Sequence, residues 1–146
     1  MKYVSEDMII GTKCKAHELD IMTATDKDLV FDMEFSMEIT KEDTVLRGFV
    51  ISFDVLFGQG GLTSATNAEF NEKVLSTQPD TETTHWKQCV LWLDTEHHVA
   101  VPKGTTVCGC VSYLRSENNK RDYDVVLTWI NPITDQKHYK KYNLAS

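Results

Sequence analysis

The sequence predicts an all-β domain, barrel-like, in which two packed antiparallel sheets close into a β-barrel with one or two short helical turns. Three observations carry that prediction. Residues 31–40, "FDMEFSMEIT", alternate strictly between apolar and polar. Strand-like runs then follow one another at short, fairly even spacing, and only two brief stretches have helical character.

The elements read as follows. "VSEDMII" (4–10) and "ATDKDL" (24–29) each suggest a turn or two of helix. In residues 31–40 the side chains of Phe31, Met33, Phe35, Met37 and Ile39 fall on one face, with Asp32, Glu34, Ser36, Glu38 and Thr40 on the other. A period of two makes a strand with one buried and one wet face. "TVLRGFVISFDVLF" (44–57) reads as the next strand, with Phe49, Ile51, Phe53, Val55 and Phe57 on one side, and "KEDT" between the two has the length and polarity of a hairpin loop. "GQGG" (58–61) breaks the pattern, and residues 62–68 are loop-like. "FNEKVLST", "HWKQCVLWL", "TTVCGCVSYLR", "YDVVLTWI" and "HYKKYNL" are further strands, with "VPKG", "SENNKRD" and "NPITDQ" as turns.

Size and composition fit one domain with its own core: 146 residues, 41% hydrophobic and rich in aromatics. No apolar run approaches the ~20 residues needed to span a bilayer as a helix, and the N-terminus lacks a signal peptide's apolar stretch. Cys14, Cys89, Cys108 and Cys110 are too few and too oddly spaced for a disulfide scaffold, which points to a reducing, intracellular setting, cytoplasm or nucleus. A formal charge of -7 argues against a nucleic-acid surface and suits a basic partner. Lys137, Lys140 and Lys141 form the one basic cluster and read as a solvated edge.

Most candidate chemistry dissolves on inspection. His97 and His98 are adjacent, so on a strand they would point to opposite faces and not share a metal; no metal site is expected. Cys108 and Cys110 share a strand face in poor disulfide geometry and read as core thiols. "GQGG" lacks the spacing of a dinucleotide loop. In "TETTHWKQCVLWLD", His85 and Trp86 stand together at the mouth of a strand that needs neither. The residues alone leave two readings open: His85 caps a strand end while Trp86 fills the barrel mouth, or the pair forms one wall of a site.

From Leu75 on, "LSTQP…TTHWKQCVLWLD" resembles the C-terminal β-barrel of protein arginine N-methyltransferases, in particular the asymmetric-dimethylating (type I) group. The family's Leu-Ser-Thr-x-Pro strand corresponds to Leu75, Ser76, Thr77 and Pro79, and its Thr-His-Trp-Lys-Gln stretch to Thr84, His85, Trp86, Lys87 and Gln88. "LDIMTATDKDLVFDMEFSM", "GFVISFDVLF", "VPKGTTVCGCVSY" and "NNKRDYDVVLTWI" extend the likeness from about residue 17 to the C-terminus.

The resemblance implies a β-barrel, substrate-side domain at 17–146, preceded at 1–16 by a remnant of the segment leading into it. It implies that His85 faces a catalytic domain and hydrogen-bonds an acidic group there, that Trp86 lines the target-arginine pocket and that Thr84 shapes the loop. In the family, a Rossmann-like domain binds S-adenosylmethionine through a glycine-rich loop and supplies two glutamates. These residues contain neither feature, so the chain alone is expected to bind no cofactor and to be inactive. The complete enzyme would methylate Arg/Gly-rich basic proteins as a homodimer, whereas this chain would be monomeric or weakly associating. The rival class is a non-catalytic β-barrel module that binds protein.

Overall fold

The computed structural model describes residues 4–57, 73–117, 119 and 121–144. Among them run ten strands: β1 (Phe31–Glu38), β2 (Thr44–Leu46), β3 (Gly48–Ile51), β4 (Asp54–Phe57), β5 (Lys73–Ser76), β6 (Cys89–Trp92), β7 (Val99–Val101), β8 (Thr106–Arg115), β9 (Tyr123–Ile130) and β10 (Lys137–Leu144). Glu6–Met8 and Thr95–His97 form single 3-10 turns. The expected "GQGG" turn, the stretch 62–68 and the start of "FNEKVLST" lie outside the described residues.

The all-β expectation holds, but the described strands do not close into one barrel. They form a four-stranded sheet, β1–β8–β9–β10, and three two-stranded ribbons, β2–β7, β3–β6 and β4–β5. By contacts the chain divides into two compact units: Met1–Ile9 with Phe49–Val90, and Ile10–Gly48 with Leu91–Ser146. No helix among the described residues is long and apolar enough to cross a membrane.

The second unit contains the large sheet. Met33, Phe35 and Ile39 are buried, and Phe31 and Met37 half-buried, as the alternation predicts. Antiparallel pairing sets Met33 against Val111, Phe35 against Gly109 and Met37 against Val107. Beyond them β9 contributes Val125, Leu127 and Trp129, each at most 1% exposed. Gly109 sits opposite both Phe35 and Trp129. A Cβ there would come within 2.4 Å of Phe35 Cζ and 2.5 Å of the Thr128 carbonyl oxygen, so only glycine fits between that ring and the β9 backbone.

Local chemistry explains the connections. Asn131 folds the β9–β10 hairpin by accepting the backbone N–H of Ile133 at 2.9 Å, and Asp135 takes the left-handed conformation at φ 56°. Residues 24–29 form hydrogen-bonded turns rather than helix. Asp28 accepts both the N–H and the hydroxyl of Thr25 at 2.7 Å, and Asp20 accepts the N–H of Met22, so carboxylates compete with helical bonding.

Three further expectations are corrected. "KEDT" does not close a hairpin: β1 pairs with β8 and β2 with β7. A polar loop of that length suits any connection and does not choose a strand's partner. The run 44–57 is three strands, not one, because each segment has a different partner. The first break falls beside Gly48, whose missing Cβ would lie 2.7 Å from the Leu91 carbonyl oxygen. Cys108 and Cys110 are not core thiols: Cys108 is exposed and Cys110 half-exposed, since Val107, Gly109 and Val111 hold the inward positions of β8.

The basic cluster is only partly a solvated edge. Lys140 Nζ donates to the Trp92 carbonyl at 3.0 Å and to Asp94 at 2.6 Å, and Lys141 pairs with Asp124 at 2.7 Å. Asp124 is 5% exposed, and hydrogen bonds from Lys141 and then Asn143 hold its carboxyl below the usual carboxylate range against the opposing effect of burial. The same pairing raises Lys141.

Two outcomes test this sheet. Phe35→Asp should bury an unpaired charge and cost more than about 3 kcal/mol, while Glu34→Gln, one residue along on the wet face, should change stability by less than about 0.5 kcal/mol in urea unfolding. Equal losses would show the strand to be turned the other way. A depressed carboxyl contributes stability above its unfolded pKa, near ~3.9, that is lost as pH falls through the lower folded value. Stability should therefore fall more steeply below about pH 4 in the native chain than in Asp124→Asn, and parallel acid limbs would remove the ion pair from the account.

Candidate functional site

Between β5 and β6 the first unit carries the loop 77–88. Thr77 fixes its start: its buried hydroxyl accepts the Phe53 N–H at 2.9 Å and donates to the Phe53 carbonyl at 3.1 Å, extending the β4–β5 pairing by one residue. The chain then turns, with the Thr81 N–H and hydroxyl donating to the Gln78 carbonyl at 3.2 and 2.8 Å.

The predicted strand "HWKQCVLWL" starts only at Cys89, so His85 to Gln88 belong to the loop. Gln88 accepts the Val4 N–H at 3.1 Å and donates to the Val4 carbonyl at 3.4 Å, clasping the N-terminal segment. Thr84 donates its hydroxyl to the Trp86 carbonyl at 3.0 Å, bracing the bend. The His85 ring meets the indole nearly edge-on, with centroids 5.9 Å apart and planes at 82°. His85 is exposed and Trp86 is 53% exposed, whereas Trp129 is the tryptophan that fills a core. The structure thus brings Thr84, His85 and Trp86 together on one short bend.

Beside them opens a cleft of about 100 Å³, lined by Ser5, Pro79, Thr81, Glu82, Thr84 and Trp86 among others. The sequence reading missed this cleft. A run of hydroxyls and one carboxylate, "TETT", was its only local signal, and the Val4–Gln88 clasp joins residues 84 apart.

The other candidates stay apart from this loop. His97 ends the second 3-10 turn rather than lying on a strand, and its ring meets His138 at 4.4 Å; His138 stacks on Trp129 at 4.8 Å. Among the described residues, no group of three or more His, Cys, Asp or Glu could hold a metal ion. Burial raises the Cys89 thiol, and the four cysteines are free.

Fold and loop define a class: an all-β domain that presents an imidazole and an indole on a braced bend. The family described as the arginine methyltransferase oligomerization subdomain matches residues 1–134, and the chain belongs to it. Among curated relatives, it is 28% identical over 124 residues to protein arginine N-methyltransferase 1 of Dictyostelium discoideum, covering 85% of this chain and 33% of that protein. It is 31% identical over 122 residues to protein arginine N-methyltransferase 8-B of Danio rerio, covering 83% of this chain and 26% of the relative. The chain therefore spans about a third or less of these proteins. Solved structures share its fold, two of them as follows. One is a Trypanosoma brucei PRMT1 enzyme–prozyme heterotetrameric complex with AdoHcy (TM-score 0.82, 22% identity, 99% of this chain and 43% of that one). The other is Arabidopsis thaliana protein arginine methyltransferase 10 (0.76, 23%, 98% and 40%).

The brace has a measurable weight. Thr84→Val should lose about 0.5–1.5 kcal/mol for one hydrogen bond and alter Trp86 emission, read by urea titration and fluorescence. An unchanged spectrum and midpoint would mean that the bend holds its shape without it.

Proposed function

We propose that this chain is the substrate-side domain of an S-adenosylmethionine-dependent protein arginine methyltransferase of the asymmetric-dimethylating type, with Thr84, His85 and Trp86 forming one wall of its active site. The observation that carries the reading is the half-exposed indole of Trp86, braced by Thr84 and faced by His85, in a chain that belongs to an arginine methyltransferase family. A planar guanidinium can rest against an indole face, and an exposed imidazole can hydrogen-bond an acidic group on a neighbouring domain.

In this reading, cofactor binding and the glutamates that hold the guanidinium belong to a domain outside these residues. S-adenosylmethionine held there would supply the methyl group that the arginine ω-nitrogen takes up, with S-adenosylhomocysteine and a proton as the other products. This chain's own residues orient the arginine and exclude water. Its acidic balance suits Arg/Gly-rich basic proteins as substrates. Barrel closure, homodimerisation of the complete enzyme, weak association of this chain alone and an intracellular setting belong to the same reading. The family's description as an oligomerization subdomain supports assembly.

In the complete enzyme, His85→Ala and Trp86→Ala should slow methyl transfer about ten- to hundredfold, the worth of one charge-assisted contact acting in the transition state, with cofactor affinity nearly intact. Trp86→Ala should also raise KM for peptide, because the indole touches the ground-state cation too. Rate, cofactor affinity and melting temperature measured on the same preparations separate this from lost stability. Wild-type rates in both variants would leave the pair without a catalytic role.

A further inference from the structure

We propose that Gln88 is a positioning residue for methyl transfer: by clasping Val4 it holds the His85 imidazole and the Trp86 indole in the orientation that receives the target arginine. The proposal rests on the reading of these two rings as a wall of the active site, and adds to it the group that fixes their aim.

Neither ring is tied down by itself. The imidazole and the indole meet edge-on at 5.9 Å, and neither ring makes a hydrogen bond to another described residue. Their aim therefore depends on the backbone of residues 84–88, and two side chains hold that backbone. Thr84 closes the near side, donating its hydroxyl to the Trp86 carbonyl at 3.0 Å. Gln88 closes the far side: its Oε1 accepts the Val4 N–H at 3.1 Å, and its Nε2 donates to the Val4 carbonyl at 3.4 Å. Only His85, Trp86 and Lys87 lie between the two anchors.

A side-chain amide that meets both polar groups of one residue imitates a paired strand, where two residues exchange both backbone bonds. One bond alone would leave the amide free to swivel; two fix its plane as well as its position. Gln88 is held at its other end too, because β6 begins at the next residue, Cys89. Val4 is a firm partner. The residues after it close a 3-10 turn, with the Met8 N–H donating to the Ser5 carbonyl and the Ile9 N–H to the Glu6 carbonyl, both at 3.0 Å. Val4, Gln88 and Trp86 line the same cleft, so losing the clasp loosens the N-terminal segment and the exit of the bend together. A swing of about 1 Å misdirects the rings, and misplacement on that scale can cost about 10²-fold in rate.

The test uses the complete enzyme, one arginine peptide and four variants. Gln88→Met keeps the length and bulk of the side chain but neither bond. Gln88→Glu keeps the acceptor for the Val4 N–H and sets its second oxygen against the Val4 carbonyl. Gln88→Met should lower kcat about tenfold with cofactor affinity native, and KM for peptide should change less than about twofold, because the indole remains to meet the cation. Gln88→Glu should recover part of the loss. A role in packing or stability alone gives a different pattern, a lowered melting temperature with native kcat at the assay temperature. That pattern, or native kcat in Gln88→Met beside slow His85→Ala and Trp86→Ala, overturns the positioning role and leaves the wall standing. Native rates in His85→Ala and Trp86→Ala would instead sink the wall, and the positioning role with it.

Discussion

The fold of the larger unit depends on the absence of one side chain. Phe35, Gly109 and Trp129 stand opposite one another across β1, β8 and β9, two large rings with no Cβ between them. Because side chains alternate with a period of two, this layer sets the parity of all three strands. Met33, Val111 and Leu127 follow on the inner face, and Asp32 and Glu34 follow on the outer one. A slip of one residue would drive those carboxylates into a region lined by valine, leucine and tryptophan, which is far costlier than any loop adjustment.

Parity also decides what the sheet does with its polar residues. On β10 it points Lys140 and Tyr142 toward the Trp92 carbonyl, which accepts from both at 3.0 and 2.7 Å. Among the described strands it pairs with β9 alone, so these side-chain bonds anchor its other side. On the outer face the same alternation sets Lys141 and Asn143 beside Asp124, and this is why a carboxylate can be nearly buried there and remain ionised.

What could be read from the sequence divides along the same line. Period-two alternation gave β1, and β9 and β10 were legible as strand-like runs almost residue for residue, because strand character is a local property of the chain. Partner choice is not local: β1 finds β8 about seventy residues downstream, and the polar "KEDT" carried no sign of it. The cysteines on β8 were misplaced for a related reason, since thiols are neutral as to face and only the register with Phe35 assigns them. At the site, Thr84, His85 and Trp86 stood out only through their company in a recognisable motif. The cleft beside them could not be foreseen, because the Val4–Gln88 clasp joins distant segments through a backbone amide that any residue would supply.

An exposed tryptophan is not in itself a sign of function, since Trp92 is 56% exposed and Tyr139 67%. Trp86 differs in its place, on the bend beside His85 and next to the cleft of the loop 77–88. Fully burying an aromatic side chain removes ~150–250 Å² from water, so leaving half of it exposed forgoes about 2–3 kcal/mol that folding could have gained. Thr84 closes the bend on the Trp86 carbonyl instead of releasing the chain into β6, and Gln88 gives its amide to Val4 two residues later. If Trp86 forms the pocket wall proposed above, an indole held outward is ready for a flat cation, and the arrival of that cation would recover the missing burial.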